Sequence, residues 1–247
     1  MDDGFFLNLL EFIKDGSIAL LEAYFDESHR KTGLLCVAGY VFASPQAKKL
    51  TREFRAAFDA YGGFHMVDLV HRRANYRGIS DAERHRLVRQ AVAIVKQRFS
   101  YGVAVTVDSS EYEAKAPRWI RGFGNAYPFL CHMAMAAVAK VVADHGERGP
   151  ITYVYEAGHP YEAEARHAVH QMSQTQELRD HYLYSGDAFL PKKDAVPLQA
   201  ADLLAWESAK FKDETVDGSR DIRLSLLSLV KDKPKHYHMS FLRWRIA

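Results

Sequence analysis

The sequence predicts an α/β domain, a mixed sheet flanked by helices, and three observations lead there. Five apolar runs of strand length lie along the chain, at 18–25, 34–42, 102–107, 151–156 and 182–185. The first two are separated only by a polar turn of about seven residues, which reads as a hairpin. A helix-period segment follows each later run, which implies β-α units and a sheet that is not purely antiparallel.

Taken in order, Phe6, Leu9, Leu10 and Ile13 repeat at helical spacing, so 1–17 reads as an amphipathic N-terminal helix. Asp2 and Asp3 stand where a signal segment would carry basic residues, and Asn8 and Glu11 interrupt its apolar run. The first strand ends in Asp26-Glu27-Ser28. After the second strand, Ser44-Pro45 supplies a hydroxyl cap and a proline at the first helical position. Leu50, Phe54, Ala57 and Tyr61 are the buried stripe of that helix, and Gly62-Gly63 stops it. An irregular stretch follows. Ser80 and Glu83 then frame a capping box for a helix reaching about Arg98, so 44–99 is a helical insertion after the hairpin. GVAVTV (102–107) ends at Asp108, read as a cap, and a polar loop with Pro117 and Gly122 leads to a helix over 127–145. That helix is apolar almost all round, as suits burial against a sheet. ITYVYE (151–156) is apolar on both faces and therefore central. Pro160 opens a helix to about Glu177, YLYS (182–185) is the fifth strand, and Pro197 opens a last helix to about Phe211. Residues 212–247 form a less regular C-terminal extension. No repeat, low-complexity tract or linker divides the 247 residues, so one domain is expected.

Composition is ordinary for a globular chain, with 48% hydrophobic and 26% charged residues, and no disorder or disulfide signature. A net charge of +2 gives no overall field for a polyanion, so only local clusters could recruit one. Cys36 and Cys131 sit in apolar runs and read as buried free thiols, which suits a reducing, cytoplasmic setting. No apolar stretch reaches ~20 residues, so no membrane partner is expected. Serine-hydrolase elbows, Walker loops, dinucleotide fingerprints and CxxC pairs are absent from the sequence.

Three carboxylates stand out. Asp26 follows the first strand and Glu156 ends the fourth, and ligands of open α/β sheets gather at the carboxyl ends of strands. Taken singly, either acid serves equally well as a turn or cap residue. Asp202 is more telling. In LQAADLLAWESAKF, Leu198, Ala205, Trp206 and Ala209 fall around it at about 100° per residue, which places an acid on an apolar face. A buried carboxylate needs a partner. Three adjacent ones repel unless a proton or cation neutralises them, and hard cations choose such oxygen-rich sites.

YFDES at 24–28, YVYE at 153–156 and LQAADLLAW at 198–206 resemble the signature blocks of the bacterial and phage family called domain of unknown function 3800, grouped with ribonuclease H-like folds. The resemblance covers about 18–211. It implies a ribonuclease H-like, five-stranded mixed sheet whose acids bind two ions of Mg²⁺ or Mn²⁺, with Asp26, Glu156 and Asp202 as catalytic ligands and Glu27 as a fourth ligand. Two such ions ~4 Å apart cleave phosphodiesters, one activating water and one stabilising the leaving oxygen. His29 stands where the family usually places glycine. The resemblance also implies phage defence as a setting for a non-catalytic module on this fold.

Substrate contacts are expected from His65, in FHMVD, and from Arg72, Arg73, Lys192 and Lys193. The two lysines precede the Asp202 helix in a loop able to overhang the acids and neutralise substrate phosphate. Nucleic acid, RNA or DNA, is the expected partner. A rival reading keeps the fold as a non-catalytic module binding nucleic acid or protein. A third has it hydrolyse a small phosphoester. The N-terminal helix and the FLRWRI tail offer surfaces for a homodimer or a partner protein.

Overall fold

The computed structural model describes residues 20–147, 149–216, 224–231 and 236–240. The expected helix at 1–17 and the FLRWRI tail lie outside them. One mixed sheet holds β1 (Leu21–His29), β2 (Leu34–Ala43), β3 (Tyr101–Asp108), β4 (Ile151–Glu156), β5 (Tyr184–Leu190) and β6 (His236–Ser240), in the order β5-β4-β1-β2-β3-β6. β2 is antiparallel to β1 and β3, whereas β1 with β4, β4 with β5 and β3 with β6 are parallel. The carboxyl ends of five strands therefore share one edge. The order 3-2-1-4-5 with β2 alone reversed gives the mixed, helix-flanked sheet that the sequence predicts. β6 widens the expected five strands to six, from an extension the sequence reading left irregular.

The helices are α1 (Ser44–Phe58), α2 (Met66–His71), α3 (Asp81–Arg98), α4 (Ser109–Lys115), α5 (Arg118–Arg121), α6 (Ala126–Asp144), α7 (Glu162–Gln171), α8 (Gln176–His181), α9 (Pro197–Val216) and α10 (Leu224–Lys231). The local signals act as their chemistry dictates. The Ser80 side chain accepts from the Glu83 amide at 3.1 Å to open α3, and Asp108 accepts from the Glu111 amide at 2.9 Å to open α4. Several expectations need correction: the fifth strand is Tyr184–Leu190 rather than 182–185, and the irregular stretch after Gly63 holds α2. Asp26 to His29 do not follow β1 but belong to it, because Asp26↔Ala38 through His29↔Leu35 continue the ladder to β2. The turn shrinks to Arg30–Gly33, closed by the Gly33 amide on the Arg30 carbonyl at 3.0 Å, with Gly33 at φ 93°. The polar loop after β3 holds the short helices α4 and α5. The single helix expected between Pro160 and Glu177 is two, since Thr175 caps a new start through the Leu178 amide.

Two cores sandwich the sheet. On one face, Leu21, Ala23 and Phe25 of β1 and Tyr153 and Tyr155 of β4 meet Leu130, Cys131, Ala134 and Val138 of α6. On the other, Cys36, Ala38, Tyr40 and Phe42 of β2 meet Ala200, Leu203 and Leu204 of α9, with Phe54 of α1 and Leu87 of α3. Each fully buried Leu or Phe contributes ~1.5–3 kcal/mol. Cys36 and Cys131 are buried free thiols in separate cores. α6 is long and apolar enough to cross a bilayer by length and composition alone, but most of it is buried within the fold.

Gly39 permits the closest approach in the hairpin. A Cβ there would lie 1.8 Å from the Tyr24 carbonyl oxygen and 2.8 Å from the Phe25 ring. Its neighbour Ala38 pairs with Asp26, so this tight fit also fixes the depth at which Asp26 sits.

Candidate functional site

Strand parity and register bring the first two acids together. Side chains alternate across a sheet, so Asp26 shares the α9 face with Tyr24, and Glu156 shares it with Val154. β1 and β4 pair in parallel through Phe25↔Tyr155, so the residues that follow, Asp26 and Glu156, are neighbours at the carboxyl edge. Glu27 has the opposite parity, yet its position near the strand end lets it reach the same point. Carboxylate oxygens of Asp26, Glu27 and Glu156 lie within 4.8 Å of one another.

α9 supplies the fourth acid from across the cleft. It lies over β1 and β2 and presents Asp202, which is buried. One Asp202 oxygen, Oδ2, accepts the Met66 amide at 2.7 Å. One turn earlier, Gln199 Oε1 accepts the Phe64 amide at 2.8 Å. The two bonds, three residues apart on one helix face, clamp the backbone at 64–66 and so set His65 at the cleft. His65 Nδ1 is 3.0 Å from Asp68 Oδ2. The sequence reading missed Gln199; its signal was the i, i+3 spacing to Asp202.

Lys192 enters the acids themselves. It stands two residues beyond Leu190, which pairs with Glu156, in a turn closed by the Asp194 amide on the Pro191 carbonyl at 2.9 Å. Its Nζ lies 2.8 Å from Asp26 Oδ2, 3.0 Å from Glu156 Oε2 and 3.6 Å from Asp202 Oδ1. With Glu27 included, four carboxyl groups face one ammonium. Burial drives the Asp26 carboxyl well above the usual carboxylate range, against the pull of Lys192. Burial and the Glu156 charge push Glu27 up to about 7. Burial raises Glu156 too, but a hydrogen bond from Asp26 and the Lys192 charge prevail and lower it. Burial works against the Lys192 ammonium, yet Asp202, Asp26 and Glu156 hold it protonated.

The donor set fits a hard divalent cation. Every convergent group is a carboxylate, with no thiolate among them, and the negative charge exceeds what one lysine neutralises. The acids floor an open cleft of roughly 360 Å³, lined also by Ser28, His29, Val67, Gly158 and Trp206.

The structure thus gathers Asp26, Glu27, Glu156, Asp202, His65 and Lys192 around one cleft. Arg72, Arg73 and Lys193, expected at the substrate, do not line it. Arg72 ends α2 in a left-handed turn and is paired with Asp81 at 2.6 Å. Arg73 and Lys193 are exposed.

No family model matches the chain, and no curated protein matches it, so the tie to the domain of unknown function 3800 family rests on the three sequence blocks. Similar solved structures include ribonucleases HII and HIII. A point mutant of Bst-RNase HIII is 15% identical, with a TM-score of 0.43 over 83% of this chain and 56% of that one. Bst-RNase HIII in complex with Mn²⁺ is 13% identical, with a TM-score of 0.42 over 80% and 56%. The RNase HII of Archaeoglobus fulgidus, in its PCNA complex, is 14% identical, with a TM-score of 0.38 over 80% and 75%. The chain spans little more than half the length of the RNase HIII chains it matches. Its fold class is defined by its own strand order and directions, and the site by its own acids.

Proposed function

We propose that this cleft is a divalent-metal centre for hydrolysis of phosphodiester bonds in nucleic acid. The observation that carries the reading is the convergence of Asp26, Glu27 and Glu156 oxygens within 4.8 Å at the carboxyl ends of two parallel strands. Asp26, Glu27 and Glu156 would hold Mg²⁺ or Mn²⁺, with Asp202 Oδ1 facing the same space. Bound there, the cation supplies Lewis-acid activation of water and neutralises charge on the phosphate. The chain's own residues do the rest. The rigid strand ends preorganise the oxygens, and the bonds from Gln199 and Asp202 hold the His65 segment over the acids. His65 then lies where it can contact a phosphate or pass a proton. The cleft is open, so a polymer can cross it without threading.

The test is cleavage of labelled single- and double-stranded RNA and DNA with Mn²⁺ or Mg²⁺, wild type beside Glu156→Gln. Metal-dependent cleavage by the wild type and at least about 100-fold loss in the variant are expected, in line with removal of a group stabilising transition-state charge. Metal-independent cleavage, or full activity in the variant, contradicts the reading.

A second reading has its own observation. The Lys192 ammonium within 3.6 Å of three carboxylates resembles a closed internal ion network, as a non-catalytic binding module would need. That module predicts no Mn²⁺ binding at all.

A further inference from the structure

The acids and Lys192 cannot be read independently. A divalent cation bound by Asp26 and Glu156 must use oxygens that Lys192 Nζ now approaches to 2.8 and 3.0 Å. Two cations that close would repel strongly in a site where Asp26 is 2% exposed. We propose that Lys192 is a built-in competitor for the metal, whose ammonium holds the acids together until a divalent cation displaces it towards the mouth of the cleft. The inference rests on the metal-centre reading and adds to it a control on that site.

The surroundings suit such an exchange. Without a cation, Asp26, Glu156 and Asp202 would repel one another on a buried floor, so a tethered ammonium keeps the empty site from splaying. Lys192 sits on a short turn between β5 and α9, not within either element, so its side chain can swing without disturbing the sheet. A flexible four-carbon stem with a compact charge suits this role, where a rigid guanidinium would not. Only 16% of the Lys192 side chain is exposed, although the adjacent Lys193 lies open to solvent. No other ammonium among the described residues is recorded in ion-pair range of these acids.

The experiment titrates Mn²⁺ into wild type and Lys192→Met by calorimetry, without nucleic acid. Removing the competitor is expected to tighten Mn²⁺ binding by roughly 5- to 150-fold, the span of ordinary coupling free energies. Equal affinities overturn the inference and leave the metal centre standing. Absence of binding in both proteins overturns the two together. Because methionine among four carboxyl groups can compromise folding, the wild type is tested a second way. Amine acylation followed by mass spectrometry should show Lys192 modified faster at saturating Mn²⁺, with Lys193 unchanged. A Lys192 that stays protected at saturating Mn²⁺ overturns the proposal.

Discussion

On the α6 face of the sheet, Phe25, Tyr153 and Tyr155 meet Leu130, Ala134 and Val138. The tyrosine hydroxyls are spent on backbone carbonyls, Tyr153 on Tyr182 at 2.6 Å and Tyr155 on Cys131 at 2.9 Å. On the α9 face the same sheet carries Asp26 and Thr106, and α9 adds Gln199, Asp202, Glu207 and Ser208. These are all the buried residues, among those described, with polar or charged side chains other than tyrosine. One face stabilises by apolar burial with its tyrosine hydroxyls satisfied by backbone carbonyls. The other gives up some of that stability to hold acids out of water.

The largest effect expected is one that breaks both faces at once. Gly39→Ala must force the Tyr24 carbonyl away from a new Cβ at 1.8 Å, parting β1 from β2 beside Asp26. A loss above about 3 kcal/mol is expected in urea unfolding, with loss of any metal site. Next comes a contrast between the faces. Leu130→Ala on the dry face should cost ~2–5 kcal/mol whether or not Mn²⁺ is present. Asp26→Asn should leave metal-free stability within about 1 kcal/mol of wild type, because burial already favours the neutral Asp26 carboxyl and the amide is its neutral isostere. A large stability loss in Asp26→Asn would erase the distinction. Gln199→Ala should cost about 1–3 kcal/mol by stranding the Phe64 amide, and should lower cleavage by loosening His65.

The smallest effect concerns pH. Burial lowers His132 and His159 from 6.5 to about 4, so the unfolded chain takes up protons first and stability falls as pH drops through that window. Glu27, raised from 4.5 to about 7, and Asp26, raised well above its usual range, act in the opposite sense, stabilising as pH falls. Unfolding measured with chelator from pH 4 to 7 should therefore vary weakly in wild type. His132→Leu should steepen the loss of stability with rising pH; a profile unchanged by that substitution would contradict the assignment.

Much of this was legible in the sequence, for physical reasons. Periodicity found β4 to the residue and β2 to within one, and the capping chemistry at Ser80 found α3, since these signals are local. The order of strands along the sheet was not legible, because pairing partners leave no local trace. Asp202 was visible as an acid on an apolar helix face. The inclusion of Asp26 in β1 was not, because a polar strand end looks like a turn until its partner strand is known. The destination of Lys192 was also hidden: nothing in Pro191-Lys192-Lys193-Asp194 distinguishes the lysine that turns inward from the one that does not. The pairing of Arg72 with Asp81 was not legible either, because charge clusters are read without their neighbours.

The central claim is that the acids of the α9 face form a metal centre. Calorimetric titration of Mn²⁺ into chelator-treated wild type and Asp26→Asn tests it most directly. Binding by the wild type that disappears in a folded Asp26→Asn is the predicted result. A wild type that takes up no Mn²⁺, or a variant that takes it up equally well, would contradict it.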